Sequence, residues 1–128
     1  MRYLRAYAQS QPVTLEGERA FEELYMRLAR WTSEIAQAFD AAQADQNDRR
    51  IERCIELLCY MDRAIDLAHN YDIASAILKL QHFAIASLVK AKADRNSKSL
   101  KGLPQVFVTL AEIFATLYER RETRIGAN

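Results

Sequence analysis

Apolar residues recur at alternating intervals of three and four positions through most of the chain. The first stripe runs Phe21, Leu24, Leu28, Trp31, Ile35, Ala38 and Ala42, a spacing that keeps one face of an α-helix apolar. Glu18, Glu22, Arg30 and Glu34 remain for its solvated face. The pattern predicts a first long helix over 15–44, ended by Asp45-Gln46-Asn47-Asp48, a polar cluster that also suits the start of the next helix. A second stripe of Ile51, Cys54, Leu58, Met61, Ile65 and Ala68 predicts a helix over 48–69. Ile55, Leu57 and Leu67 widen that stripe, which implies contact on two sides.

Asn70-Tyr71-Asp72 reads as a short reversal, with Asp72 placed to cap a third helix over 72–94. This helix carries Ile73, Ile77, Leu80, Phe83, Ala84, Leu88 and Ala91, and a polar run from Asp94 to Ser99 closes it. A fourth helix is predicted over 103–122, with Pro104 in the first turn, where the missing N–H is not needed; a start near Ser99 is equally readable. Its apolar positions are Val106, Phe107, Leu110, Ile113, Phe114, Leu117 and Tyr118. The basic run from Arg120 to Arg124 suits the partial negative charge of a helix C-terminus, and 123–128 is expected to fray.

Four helices of this length joined by short links predict an all-α fold, a single-domain antiparallel up-and-down four-helix bundle over 1–128. Residues 1–13 form a separate short element, cut off by Gln9-Ser10-Gln11-Pro12. Its apolar residues Tyr3, Leu4 and Tyr7 would dock it on the bundle as a segment or short helix, since an isolated helix of that length is marginal in water.

Composition narrows the function classes. The 128 residues carry 18 basic and 17 acidic side chains, a net charge of +1, so no strong field steers nucleic acid or anionic lipid. With three Gly and two Pro against 50% hydrophobic residues, the chain favours a folded helical core. Cys54 and Cys59 lie about 140° apart on a helix and cannot pair with each other. Each is expected to be a small buried apolar residue in a reducing compartment. The N-terminus lacks the apolar run of a signal peptide, and no stretch is expected to approach the roughly 18 apolar residues of a membrane span. A cytoplasmic (cytosolic) protein without membrane insertion is the expectation.

Chemistry-bearing constellations are few. Asp62, Asp66 and His69 share one face of the second helix and could ligate a metal, but the paired Glu-x-x-His motifs of bundle metal sites are absent. An exposed charged stripe is the simpler reading. His82 reads as a partly buried histidine at a groove edge, with no nucleophile near it in sequence. Arg49, Arg50 and Arg53 make one basic spot without interleaved aromatics, which argues against nucleic acid. No phosphate loop or catalytic signature is present, so the chain reads as no enzyme and needs no cofactor. A metal-binding bundle enzyme is the remote alternative. What stands out is an apolar surplus in Tyr25, Trp31, Phe39, Tyr60, Phe83 and Phe107, which either fills the core or lines a groove for a partner's helix.

Tyr3-x-x-Ala6-Tyr7-x-Gln9, then Thr14 and Leu24-Tyr25, resemble the start of the flagellar secretion chaperone FliS family, including the 18-residue separation of Tyr7 and Tyr25. The likeness continues through Ile51 to Met61 and Leu80 to Ala91, so it covers about 3–118. Departures mark a divergent member. Leu15-Glu16-Gly17 stands in place of an Ala-Ser-Pro helix start, no Gly pair occurs at His69-Asn70-Tyr71, and the family's late Trp has no counterpart near Leu117.

The resemblance implies an export chaperone that binds the C-terminal helical segment of flagellin in the cytosol. It would prevent premature polymerisation and deliver the client to the flagellar type III secretion apparatus, with an export-gate component as a further partner in the same expectation. The candidate groove residues are Leu24, Tyr25, Leu28, Ile55, Leu58, Leu80 and Phe83. Tyr3, Leu4 and Tyr7 would form an N-terminal plug that occupies the groove when it is empty. Another helical secretion chaperone, adaptor or co-chaperone is the alternative within the same class.

Overall fold

The computed structural model describes residues 15–41, 46–65 and 71–126. These form four long helices, α1 (Leu15–Asp40), α2 (Asn47–Arg63), α3 (Tyr71–Asp94) and α4 (Leu103–Gly126), with a short 3₁₀ turn at Lys98–Leu100. Among the described residues there is no strand. The fold is the all-α four-helix bundle that the stripes predict.

Neighbours along the chain pack side by side, and α1 also packs along most of its length against α4, which closes the ring of helices. Ring pairs show that α1 and α4 run antiparallel: Phe21 lies 5.1 Å from Phe114, while Tyr25, one turn later, stacks on Phe107 at 6.4 Å. Phe21, Tyr25, Leu28 and Ile35 of α1 meet Phe107, Leu110 and Phe114 of α4 and Ile51, Leu57, Leu58 and Met61 of α2 in one core. Each large side chain so buried contributes about 1.5–3 kcal/mol from removal of apolar surface from water. The α3 share is thinner, built from Ile77, Ala84, Leu88 and Ala91, and its contact with α4 is slight beside that of α1. Small residues let helices approach but fill little volume.

Several boundaries shift from the sequence expectation. Helix α1 ends at Asp40 rather than 44, with Ala41 in a turn and 42–45 outside the described residues. Helix α2 stops at Arg63, so Ile65 lies past its end, and 66–70 are outside the described residues. Tyr71 opens α3 and places Asp72 inside its first turn, where its charge favours the exposed N–H groups without being the cap. The last helix starts at Leu103 with Pro104 in its first turn, and it continues to Gly126, through the segment expected to fray from 123.

The α3–α4 connection is held by side-chain bonds. Arg95 ends α3 in the left-handed region, φ 55°, and its N–H donates to the Ala91 carbonyl at 2.9 Å. That closes the helix in the manner usually left to glycine, at a steric cost. Ser97 Oγ donates to Asp40 Oδ1 at 2.5 Å, and Ser99 Oγ to the Ser87 carbonyl at 2.9 Å, which pins the turn to the ends of α1 and α3.

Two segments, Tyr71–Asp94 and Lys98–Leu117, have the length and mean hydropathy, 1.3, of a membrane span. This corrects the expectation that no stretch comes near one. Both are bundle segments that turn one face to the shared core, and apolar core helices meet the same criterion.

Candidate functional site

Antiparallel α2 and α3 meet along a seam of ion pairs. His82 Nε2 lies 2.8 Å from Asp62 Oδ2, Lys92 Nζ donates to Glu52 Oε1 at 2.6 Å, and Arg95 Nη1 donates to Asp48 Oδ2 at 3.4 Å. The pairs step up one helix as they step down the other, so they mark register. All are substantially exposed on at least one side, where such pairs add little to stability. The hydrogen bond to Glu52 holds the Lys92 ammonium pKa above its ordinary value.

Beneath the seam a polar chain crosses the core. The Tyr25 hydroxyl donates to Gln81 Oε1, Gln81 Nε2 donates to Asp62 Oδ1, and Asp62 reaches the surface at His82. Tyr25 and Gln81 are fully buried, and the chain ties α1, α3 and α2 together. Burial first, and the nearby Asp62 charge second, push the Tyr25 phenol well above the usual tyrosine range. It stays a neutral donor. Gln81 lies in the apolar stripe of α3 at a core position, a polar residue that only a partner across the bundle can satisfy.

Two recessed surfaces with apolar lining lie between the described helices. Between α1 and α2 a groove of about 470 Å³ is lined by Trp31, Ile35, Cys54, Leu57 and Tyr60, with Glu34, Arg50, Arg53 and Glu56 around them. Between α3 and α4 a groove of about 460 Å³ is lined by Asp72, Ile73 and Ala76 on one side and by Thr109, Glu112, Ile113, Thr116, Leu117 and Arg120 on the other. The second follows from the slight packing of α3 on α4. Ile73, Ala76, Leu80 and Phe83 recur along α3 at intervals of three, four and three, so the apolar strip that borders this groove extends to Phe83. Phe83 is 56% exposed, an uncommon exposure for so large an apolar ring.

The candidate residues divide accordingly. Leu24, Tyr25, Leu28 and Leu58 are buried in the core, at 6% exposure or less, and line neither groove. They sit on the faces of α1 and α2 that point to the bundle axis. Ile55 is half-buried and packs on the core, while Asp48, Glu52 and Asp62 on the same helix reach α3. Leu80 is half-buried and packs on the core, and Phe83 is exposed; both continue the helical strip that Ile73 and Ala76 begin in the α3–α4 groove, but neither is part of its lining. Tyr3, Leu4 and Tyr7 lie outside the described residues.

Cys54 is buried and its thiol is pushed up to about 12 by desolvation, but Cys59 is exposed, contrary to expectation, because five positions turn it away from the core. His82 is exposed rather than partly buried. Asp62 is engaged by Gln81 and His82, while Asp66 and His69 lie outside the described residues. Among the described residues no three His, Cys, Asp or Glu gather to hold a metal. Of the apolar surplus left open between core and groove, Trp31 and Tyr60 are half-buried and line the α1–α2 groove, whereas Tyr25 and Phe107 are in the core; none of the candidate groove residues lines the α1–α2 groove. Arg49, Arg50 and Arg53 share a hollow, as expected from the four- and three-residue steps from Arg49 and Arg50 to Arg53.

The arrangement offers apolar recesses between helices, a shape that can take up another chain. A family model described as flagellar protein FliS matches residues 1–121. No curated protein and no solved structure matches the chain significantly.

Proposed function

From the premise that the chain belongs to the flagellar protein FliS family, which supports a role as a flagellar export chaperone, we propose that it binds the C-terminal helical segment of flagellin in the cytosol. It thereby keeps flagellin from polymerising early and delivers it to the type III secretion apparatus, with an export-gate component as a second partner. The observation that supports this reading is the strip Ile73, Ala76, Leu80 and Phe83 beside the α3–α4 groove, with Phe83 more than half exposed. A polymer subunit that assembles through amphipathic helices carries apolar stripes before assembly. A groove with an aliphatic floor and a projecting aromatic covers such a stripe by helix-in-groove contact. Binding a segment that orders on contact costs conformational entropy, which keeps the complex releasable. Tyr3, Leu4 and Tyr7 act in this reading as a plug that leaves when the client arrives.

Calorimetric titration with flagellin that retains or lacks its C-terminal helical region tests the proposal. Binding is expected only to the form that retains it, and Phe83→Ala is expected to weaken it about tenfold or more, in the range of an interface anchor. Because Phe83 is exposed in the free protein, the same change should move Tm by less than about 2 °C. Failure of both flagellin forms to bind overturns the proposal, and full affinity in the Phe83→Ala protein moves the site elsewhere.

A further inference from the structure

We infer that the α1–α2 groove is a second docking surface, built for a protein segment that presents a large apolar anchor next to acidic residues. The floor supplies the apolar half. Trp31, Ile35, Leu57 and Tyr60 line it together, and Trp31 and Tyr60 are half-buried, so each still offers ring surface to an incoming side chain. Arg63 lies 5.7 Å over the Tyr60 ring, which keeps that ring in place at the wall.

The acidic half is read from charge. Arg50 and Arg53 line both this groove and the adjoining hollow of Gln46 and Arg49, so three guanidinium groups converge where α2 begins. All three are exposed, and among the described residues none of them makes an ion pair, whereas Lys92 and Arg95 on the far side are paired. Glu34 and Glu56 also line the groove. Glu34 offsets one of the three arginines and Asp48, in the first turn of α2, is engaged by Arg95, so the end near the start of α2 remains positive, and the N–H groups of that helix end add to it. Arginine forks match carboxylates in two-point hydrogen bonds and are enriched at protein interfaces.

Two other ligand classes fit less well. A small molecule needs a few convergent buried polar groups to orient it, and the lining has none beyond the Cys54 thiol. A nucleic acid strand needs a basic track with aromatics between the charges, whereas here the arginines stand at one end and the rings lie in the recess. The surface is separate from the α3–α4 groove and holds independently of the flagellin reading.

A displayed random-peptide library selected on the full chain, in parallel with an Arg50→Glu/Arg53→Glu variant, tests the inference. Trp31 is the chain's single tryptophan, so its emission reports occupancy of this groove. Peptides that shift Trp31 emission are expected to carry Asp or Glu beside a Leu, Phe, Tyr or Trp. They should bind the double variant at least tenfold more weakly, while its helical circular dichroism and its flagellin titration stay as in the parent. The inference is overturned if no selected peptide shifts Trp31 emission, or if those that do lack acidic residues or bind the variant equally well. It is also overturned if a short single-stranded DNA shifts the emission more tightly than any peptide.

Discussion

Replacing Gln81 by Leu removes the central link of the polar chain and leaves the Tyr25 hydroxyl without an acceptor in a site with no access to water. An orphaned buried hydroxyl costs about 1–3 kcal/mol, and Asp62 loses its hydrogen bond from Gln81 as well. Tyr25→Phe alone leaves Gln81 Oε1 without its donor, at about 1–2 kcal/mol. In the double variant the Tyr25–Gln81 contact becomes apolar on both sides, so the orphan penalty disappears, although Asp62 remains short of its donor. The two single costs should therefore exceed the double cost, with a coupling of about 1 kcal/mol or more. Urea unfolding followed by the helical signal at constant m-value measures each corner of this cycle. In thermal melts the Gln81→Leu loss corresponds to a fall of several degrees in Tm for a chain of this size. Simple additivity, within about 0.3–0.5 kcal/mol, would refute the claim that Tyr25 and Gln81 satisfy each other across the core.

The two cysteines should separate cleanly under a thiol reagent. One equivalent, at Cys59, reacts in the native protein, and Cys54 reacts only after denaturation; mass spectrometry of the labelled peptides checks the assignment, and rapid native labelling of Cys54 would contradict its burial. Alkali should destabilise the fold. Cys54 keeps its proton to about pH 12 when folded but loses it near the ordinary thiol value of 9.0 when unfolded, so the unfolded state binds fewer protons across that window. Stability is then full below about pH 9 and falls by up to about 1.4 kcal/mol per pH unit above it. The raised Tyr25 phenol acts in the same direction. Denaturant melts from pH 8 to 11 should show a shallower fall for Cys54→Ala than for the parent, and parallel curves would exclude a Cys54 contribution.

The stripes of three-and-four spacing already determine four helices, their order and the bundle, because apolar burial acts on each helix face separately and the period shows in one dimension. The family likeness rests on Tyr3, Tyr7 and the Leu24-Tyr25 pair, with the 18-residue separation of Tyr7 and Tyr25. Which apolar residue ends in the core and which in a groove is a property of pairs of helices. Leu24, Tyr25, Leu28 and Leu58 match Leu80 and Phe83 in character, yet the first four meet the bundle axis, Leu80 packs at the margin of the core and Phe83 projects to solvent. The difference arises because bulky rings join α1 to α4, whereas α3 presents mainly small residues and an extended strip that α4 does not cover. In the same way Gln81 reads as a polar interruption of a stripe until Tyr25 and Asp62 arrive from two other helices to satisfy it. The tertiary structure alone decides this, since a groove or a buried hydrogen bond exists only where two distant stretches of chain come within contact distance, and no single helix encodes that distance.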